Sequence, residues 1–463
     1  MDRQPTPATA HHRNRRILVL YDHHWVRVKT IADFLAAFRR YSEFEVYYAT
    51  SFGACPFDLD SFDAVVIHYS VKVCHAGHIS PSYERALSRA RCVKVLFIQD
   101  EYEATNLNHQ AILNLGIDTV FTCVPKESIE KVYPSSKFPG VDFVTTLTGF
   151  VPLDFVTAAK PIPMRDRSVL IGYRGRNIGF WYGDLAQEKL VIGQRMRALC
   201  DARGLRTDIE WEEDKRIYGD SWMQFLCSVR TTLGTESGSN VFDFDGSLTL
   251  AIQRELLRNP NVRYEEIHER YLSGIDGAIV MNQISPKIFE AIACRTALIL
   301  FEGHYSGVIE PGKHFIALKK DFSNFEEIIR LAQDDDYLEA LTTRAFDHVI
   351  ASDVYSYKSF VEMFDGVLKR HWPKNSHVEL NSYGWLPTPP CDTLPSFRAV
   401  YENSFRPPML KRMWSSLPES LRILLRPMVN RERWKERWTL MPNGMRACLN
   451  PVLKRVRRIL TTR

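Results

Sequence analysis

Residues 284–307 read ISPKIFEAIACRTALILFEGHYSG, and they contain in order the signals of a helix, a strand and a glycine-bounded loop. Ser285 and Pro286 are a good N-cap and first helical residue, and the apolar residues that follow fall on one helix face. The apolar run 297–301 predicts a buried strand. Glu290 stands among the apolar helix residues, where a carboxylate is costly unless a partner satisfies it. A helix paired with an apolar strand is the unit of a parallel sheet covered on both faces.

The same alternation of strand and helix fills the first third of the chain. Helical patterns over 28–38 and 106–115 separate apolar segments that are typical of buried strands. The predicted strands are 17–21, 44–49, 64–69, 93–98 and 119–124. We therefore expect a short N-terminal tail over 1–15 and a Rossmann-like, doubly wound domain over 16–152.

A second domain of the same class is predicted over 167–354, after a linker at 153–166. Its predicted strands are 168–173, 207–211, 231–233, 277–281 and 297–301, and its predicted helices include 188–200, 221–229 and 325–331, with a charged helical insertion near 247–275. A long helical pattern over 355–372 is expected to pack back across the domains. Two such domains predict an α/β fold with a cleft between them.

The composition is that of an ordinary globular protein, with 45 % hydrophobic and 25 % charged residues. The nine cysteines include no CxxC pair, which favours reduced thiols in the cytoplasm over a disulfide framework. The cluster at Cys74, His75 and His78 lacks a second ligand pair with metal-site spacing, so we predict no metal there. No secretory signal and no apolar run of roughly 20 residues is present in the sequence.

A proline-rich and then basic extension follows the second domain over 373–463. Residues 404–463 have a net charge of +12, whereas the preceding 403 residues have a net charge of −7. Basic residues interleaved with tryptophan and leucine are typical of helices that lie on an anionic membrane surface, so we predict a peripheral membrane protein. These charges have two alternative explanations. One is nucleic-acid binding, although no nucleic-acid motif accompanies them, and the other is packing of the tail on the acidic body.

Three strand ends of the second domain carry groups suited to a phosphorylated ligand. Arg174 and Arg176 follow its first strand with glycines beside them, and Lys189 is close to the next helix start. The loop 234–239 is rich in small and hydroxyl residues around Glu236. The loop at 303–307 offers peptide N–H groups to an anion. A turn with solvated arginines and a flexible small-residue loop are the structural alternatives.

The run SPKIFEAIACRTALILFEGHYSGVIEPGKHF, residues 285–315, resembles the nucleotide-sugar-binding half of GT-B glycosyltransferases, in particular the retaining group 1 branch. The resemblance covers roughly residues 168–345. It implies two Rossmann-like domains that face a cleft, with Glu290 on the donor ribose and Arg176 and Lys189 on the diphosphate. The full set of implied donor-binding residues is Arg174, Arg176, Lys189, Glu290, His304, Tyr305, Ser306 and Gly307.

Two positions depart from that family. Asn282 stands where the branch often has a second glutamate, and Arg295 stands where it usually has glycine. Glu236 is a candidate replacement for the missing carboxylate. Retaining chemistry is predicted in preference to inverting chemistry, which needs a general base from the first domain. Candidate bases at strand ends are Asp22, His23, His24, Asp100 and Glu101; the residues selected as catalytic are Glu236, Asp100 and His24.

The predicted function is transfer of a sugar from a nucleotide-diphosphate donor to a glycan or lipid-linked acceptor, in the assembly of cell-surface polysaccharide or glycolipid. No cofactor and no metal is predicted to be required, although Asp243 and Asp245 have the spacing that holds manganese in another transferase fold. The alternatives are a nucleotide-sugar epimerase or hydrolase on the same fold, and a non-catalytic binding protein. Predicted partners are the donor, the acceptor and an anionic membrane surface through 404–463, without nucleic acid.

Overall fold

The computed structural model describes residues 15–372 apart from residues 27 and 57, and it contains two parallel-sheet α/β domains. The first comprises β1 (Arg16–Tyr21), α1 (Lys29–Tyr41), β2 (Glu45–Thr50), β3 (Ala64–Ile67), α2 (Pro81–Arg89), β4 (Val93–Phe97), α3 (Thr105–Leu115), β5 (Thr119–Thr122), α4 (Ile129–Val132) and β6 (Asp142–Thr145). The predictions for the tail before residue 15 and for the extension over 373–463 lie outside the described residues.

The second domain comprises α5 (Leu153–Ala158), β7 (Val169–Arg174), α6 (Gly183–Asp201), β8 (Thr207–Glu210), α7 (Gly219–Ser228), β9 (Val229–Gly234), α8 (Ser247–Arg258), α9 (Tyr264–Ile267), α10 (Pro286–Ala293), β10 (Ala297–Phe301), β11 (Ile316–Leu318), α11 (Phe325–Gln333) and α12 (Asp335–Phe346). A final helix, α13 (Tyr357–His371), follows it. Residues 253–262, at the end of α8 and in the turn after it, belong to a separate compact unit.

The first sheet has six parallel strands in the order β2-β1-β3-β4-β5-β6. Successive side chains of β1 point to opposite faces, since Leu18 and Leu20 belong to one apolar cluster and Ile17 and Val19 to another. All four are at most 1 % exposed. The sheet is therefore covered on both faces, as the apolar runs in β1 and β3 predict.

The final helix α13 packs against the first domain, although it follows the second in sequence. The Phe364 ring lies 4.9 Å from that of Phe38 in α1, and the Phe360 ring lies 4.8 Å from that of Phe34. Asp365 accepts hydrogen bonds from Ser42 and from the backbone N–H of Glu43, at 2.9 Å each. The chain thus returns to the first sheet after completing the second.

The second sheet has five parallel strands in the order β11-β10-β9-β7-β8. Leu298 and Leu300 of β10 point to one apolar cluster, and Ile299 points to the other. The chain runs from β7 outward to β8 and then crosses back to β9 on the other side of β7. The order of the strands therefore reverses between β7 and β9, where open α/β sheets bind their ligands.

Some sequence predictions differ from the structure. The predicted strand at 277–281 is a turn and an extended segment, because Gly277 has a φ of +83° and the backbone N–H of Met281 donates to the Asn240 side chain instead of to a strand. The predicted linker contains α5, and the short strands β6 and β11 were not predicted. No helix among the described residues has the length and apolar character that crossing a bilayer requires.

Candidate functional site

A cavity of about 410 Å³ opens at the carboxyl ends of β7 and β9, where the strand order of the second sheet reverses. Its wall includes the end of β7, the end of β9, and residues at the start of α7 and α10. Lys29 and Thr30, in the first turn of α1, line it from the first domain. The cavity is therefore built by both domains and lies where ligands bind in this type of sheet.

Four of the eight predicted donor-binding residues line this cavity: Arg174, Arg176, Lys189 and Glu290. Lys287 and Trp222 line it as well and were not predicted. Lys287 could have been found, because a residue three positions before Glu290 in a helix shares its face. Trp222 could not, because nothing in the sequence connects α7 with α10.

Trp222 holds the carboxylate of Glu290 by its indole N–H, with 2.7 Å between Nε1 and Oε2. Burial raises the pKa of Glu290, while the hydrogen bond from Trp222 and the positive charge of Lys287 oppose that rise. The bond engages one carboxylate oxygen. The carboxylate keeps further acceptor sites for a pair of ligand hydroxyls, which is the arrangement that a ribose diol requires.

Six cationic side chains line the cavity, and three of them are ion-paired with carboxylates. Lys29 pairs with Asp33 at 2.7 Å, Arg174 with Asp208 at 2.8 Å and Arg216 with Glu213 at 3.1 Å. Arg176, Lys189 and Lys287 form no ion pair with any carboxylate in the described part of the chain. These three charges are available to an anionic ligand, whereas Arg174 is held by Asp208 and by the Phe225 ring, 4.5 Å from its guanidinium carbon.

The free cations repel one another. Burial and the charges of Arg176 and Lys287 together lower the pKa of Lys189 to about 8. Burial also lowers the pKa of Lys287. Lys287 donates to the carbonyl oxygen of Arg174 at 3.2 Å and lies 5.2 Å from the centre of the Trp222 ring. A bound anion would offset this repulsion and raise both pKa values.

The loop after β10 does hold an anion, but that anion is the side chain of Glu236. Oε1 of Glu236 accepts from the backbone N–H groups of His304 at 3.1 Å and Tyr305 at 2.7 Å. A Cβ on Gly303 would lie 2.6 Å from the other oxygen of Glu236, so glycine is required for this approach. The peptide groups that the sequence assigned to a ligand phosphate are occupied from within the protein.

Asn282 completes this arrangement. Its amide N–H₂ donates to Oε2 of Glu236 at 2.6 Å, and its oxygen accepts from Asn240 at 2.8 Å. Glu236 thus accepts three hydrogen bonds and is 5 % exposed. The hydroxyl of Ser306 donates to Gln283 at 3.1 Å, and Gly307 follows it in the left-handed region with a φ of +72°. Glu236, in the loop after β9, and residues 304–307, in the loop after β10, are not among the residues that line the cavity.

The two predicted catalytic residues of the first domain have different surroundings. His24 is exposed, and its Nδ1 lies 2.9 Å from Oδ1 of Asp22, which is 2 % exposed. Burial by itself raises the pKa of Asp22, but hydrogen bonds from His78 and His24 hold it below its usual value. Asp100 is ion-paired with Lys72 at 2.7 Å and accepts from the Tyr102 hydroxyl at 2.8 Å. His24 is therefore oriented by a buried carboxylate, whereas Asp100 is neutralised.

Asp243 and Asp245 act at the start of α8. Asp243 accepts from the backbone N–H groups of Gly246 and Thr249, at 2.9 and 2.8 Å, and Asp245 accepts from that of Ser247 at 2.9 Å. Carboxylates commonly occupy these positions before a helix. The spacing that suggested a manganese site is explained by this capping.

Among the described residues, two clusters bring potential metal-ligand atoms of histidine and aspartate side chains close to one another. They are Asp22 with His23 and His24, and Asp184 with His268 and Asp276. In the first, Nδ1 of His24 is hydrogen-bonded to the carboxylate, and in the second the Tyr264 hydroxyl and the backbone N–H of residue 184 take two of the carboxylate oxygens. The predicted metal-free loop at Cys74–His78 places His75 at 3.3 Å from Glu103.

Comparison of the sequence with protein-family models and with curated proteins finds no match. Among solved structures, similar ones include an α-glucosyltransferase in complex with UDP and a 13-mer DNA, with 11 % identity over 77 % of this chain and 99 % of that chain and a TM-score of 0.47. Anabaena Alr3699/HepE in complex with UDP and glucose has 11 % identity over 77 % and 100 %, with a TM-score of 0.46. TarM has 11 % identity over 66 % and 54 %, with a TM-score of 0.37. These values are too low to transfer any property of those proteins to this chain.

Proposed function

We propose that the protein is a GT-B glycosyltransferase that moves a sugar from a nucleoside-diphosphate donor to a glycan or lipid-linked acceptor. The observation that supports this proposal is the wall of the cavity between β7 and β9. There a half-buried carboxylate, Glu290, stands beside three cations without ion-pair partners among the described residues, Arg176, Lys189 and Lys287. A ribose joined to a diphosphate presents the complementary groups, a diol next to two negative charges.

Each group has a defined role in this proposal. Glu290, fixed by Trp222, accepts hydrogen bonds from the ribose hydroxyls, and these bonds offset the cost of burying the carboxylate. Arg176, Lys189 and Lys287 neutralise the diphosphate and stabilise the negative charge that develops on it when the sugar departs. Since three side-chain cations supply this stabilisation, we propose that transfer needs no metal ion, and that activity persists in the presence of EDTA.

The stereochemical route of transfer, retaining or inverting, is proposed from side chains of the first domain. The sequence predicts a retaining reaction, in which Glu236 would replace the missing carboxylate. Glu236, however, is engaged by three donors, while His24 is exposed and is oriented by the buried Asp22. The His24–Asp22 pair is suited to act as the general base that takes the acceptor proton, and this role favours an inverting reaction. Determination of the anomeric configuration of the product by NMR separates the two routes.

The donor assignment is tested by thermal stabilisation of the full-length protein with uridine, guanosine, adenosine and thymidine diphosphates. We expect one of them to raise the Tm of the wild type and to raise that of Glu290→Ala by much less. Failure of all four to stabilise the wild type would overturn the proposal.

Product analysis then separates the remaining alternatives. An epimerase or hydrolase consumes the donor in acceptor-free buffer, and a non-catalytic protein binds it without turnover in any glycan extract. The assignments to cell-surface polysaccharide or glycolipid assembly, to the cytoplasm, and to a membrane surface through residues 404–463 stay predictions from the sequence.

A further inference from the structure

Two buried cysteines lie together between the helices that present Trp222 and Glu290. Cys227 is the next-to-last residue of α7, and Cys294 directly follows α10. The Cys294 thiol lies 3.9 Å from the carbonyl oxygen of Met223, which is one helical turn before Cys227. Both thiols are free and belong to one apolar cluster, with exposed fractions of 5 % and 0 %.

A buried cation stands next to this pair. The guanidinium of Arg167, which is 4 % exposed, donates to the carbonyl oxygens of Ile162, Val229 and Cys294 at 2.8, 2.8 and 3.2 Å. Its remaining partner is the hydroxyl of Thr296 at 3.2 Å. All four acceptors are neutral, and no carboxylate of the described residues forms an ion pair with Arg167. A thiolate is the anion that the nearest side chains can supply to this charge.

The two thiols are unequal. Contact with Cys294 lowers the pKa of Cys227 to about 7 and Arg167 acts in the same direction, whereas the same contact and burial raise the pKa of Cys294. Cys227 is therefore the thiol that loses its proton more readily, and Cys294 the one that keeps it. This division is the one found in a reactive cysteine with a second cysteine beside it that resolves the oxidised form.

We propose that Cys227 and Cys294 form an oxidation site at which a peroxide closes a disulfide between α7 and α10. The Cys227 thiolate attacks one oxygen of hydrogen peroxide, so that an S–O bond forms, the O–O bond breaks and hydroxide leaves. The Cys294 sulfur then attacks the Cys227 sulfur; the S–S bond forms, the S–O bond breaks, and the departing hydroxide leaves as water with the Cys294 proton. Two thiols lose two electrons, and peroxide is reduced to two molecules of water.

The disulfide would act on the cavity through the same two helices. Trp222 is five residues before Cys227, and Glu290 is four residues before Cys294, so the hydrogen bond between them joins the helices about one turn before the cysteines. Bond formation brings two sulfur atoms to about 2 Å and draws the carboxyl ends of α7 and α10 together. We expect the Trp222–Glu290 pair to be displaced and nucleotide affinity to fall about tenfold. This last consequence rests on the proposed function, whereas formation of the disulfide does not.

The test treats the full-length protein with hydrogen peroxide, blocks free thiols and searches its peptides by mass spectrometry for a Cys227–Cys294 cross-link. We expect the cross-link in the wild type and in the control Cys200→Ser, which removes another buried cysteine, and its absence in Cys294→Ser. In Cys294→Ser we expect Cys227 to be oxidised to sulfinic acid. Absence of the cross-link in wild type whose methionines are oxidised would overturn the proposal without the use of any variant.

Nucleotide affinity is measured on the same samples by calorimetry. An affinity that falls on oxidation and returns with dithiothreitol supports the coupling to the cavity, and an unchanged affinity in cross-linked protein refutes it. If the reduced protein binds no nucleoside diphosphate, the proposed function fails, and the cross-link alone decides whether the oxidation site exists.

Discussion

At the scale of single residues, the half-buried carboxyl group of Glu290 shows how neighbouring groups set the pKa of a side chain. Burial raises its pKa, and among the described side chains the indole of Trp222 is the donor that favours the ionised form. The same tryptophan stacks on Phe225, and the ammonium nitrogen of Lys287 lies 5.2 Å from the centre of its ring. One aromatic side chain therefore positions both an anion and a cation of the cavity.

Trp222→Phe should weaken nucleotide binding and make it more sensitive to acid. The variant removes the N–H that favours ionised Glu290, so the pKa of Glu290 rises and the carboxylate is protonated at a higher pH. Loss of a hydrogen bond to a charged group costs roughly 1.5–3 kcal/mol, so we expect at least a tenfold loss of affinity near pH 6 and a smaller loss at pH 8. Calorimetric titration with a nucleoside diphosphate across pH measures this.

The matched control for that experiment is Trp211→Phe, because Trp211 packs against Arg197 and does not line the cavity. Its affinity should follow the wild type at every pH. A Trp222→Phe variant with an unshifted acid limb would show that the indole N–H has no electrostatic role.

Lys189 should limit nucleotide binding at alkaline pH. Because its pKa is lowered to about 8, its ammonium group loses the proton as pH rises above that value, and the attraction to a diphosphate is lost with it. The ligand phosphates are already ionised in this range. We expect wild-type affinity to fall several-fold between pH 7 and pH 9, and Lys189→Arg to remove this fall because arginine stays charged.

Lys189→Gln provides the complementary control, with weak binding that is independent of pH over the same interval. Equal alkaline losses in wild type and Lys189→Arg would assign the titration to another group.

At the scale of helices and strands, the apolar pattern of the sequence predicts most of the fold but only some of the residues that line the cavity. Strands such as β1 after Arg16 and β10 consist of apolar residues because both their faces are buried, so they were predicted within one or two residues. The predicted strand at 277–281 is wrong, because the backbone N–H groups of Gly277 and Met281 donate to the carbonyl and side-chain oxygens of Asn240 instead of to a neighbouring strand. The bond between Trp222 and Glu290 joins residues 68 apart, and no local pattern indicates it.

Glu236 shows a second limit of sequence patterns. The loop at 303–307 was predicted to bind an anion, and its amides do so, but the anion is a side chain from the loop after β9. Composition identifies an anion-binding loop, whereas the identity of the anion depends on tertiary placement. The same is true of Arg174, which has the residue type of a phosphate ligand but is held by Asp208.

Glu101, at the carboxyl end of β4, should make the stability of the protein fall as pH rises. It is fully buried, its Oε1 accepts from the backbone N–H of Cys123, and burial raises its pKa to about 8. A folded-state pKa above the unfolded value means that stability is fully present at low pH and is lost between about pH 4.5 and pH 8. We expect a loss of roughly 2–4 kcal/mol over that interval.

Glu101→Gln keeps the shape of the protonated acid without its titration. Its free energy of unfolding, measured by urea denaturation, should match the wild type near pH 5 and exceed it at pH 8.5. A wild type and variant with parallel pH profiles would show that Glu101 does not stay protonated in the folded protein.

At the scale of the whole molecule, loops at the carboxyl end of the second sheet and the start of α1 in the first domain surround one cavity, and α13 returns the end of the described chain to the first domain. The second sheet supplies Glu290 and the three free cations, and the first supplies α1 at the cavity and the His24–Asp22 pair at the end of β1. This division matches a donor on one domain and an acceptor on the other, which is the basis of the proposed transfer.

The most direct test compares a nucleoside diphosphate with its 2′,3′-dideoxy analogue, using the base that stabilises the protein most. Calorimetry gives the Kd of each for wild type and for Glu290→Gln. If Glu290 accepts from the ribose diol, the wild type should bind the dideoxy analogue about 10- to 100-fold more weakly, while Glu290→Gln should distinguish the two ligands by threefold or less. Equal affinities in the wild type, or undiminished discrimination in Glu290→Gln, would contradict the assignment of Glu290 to the ribose.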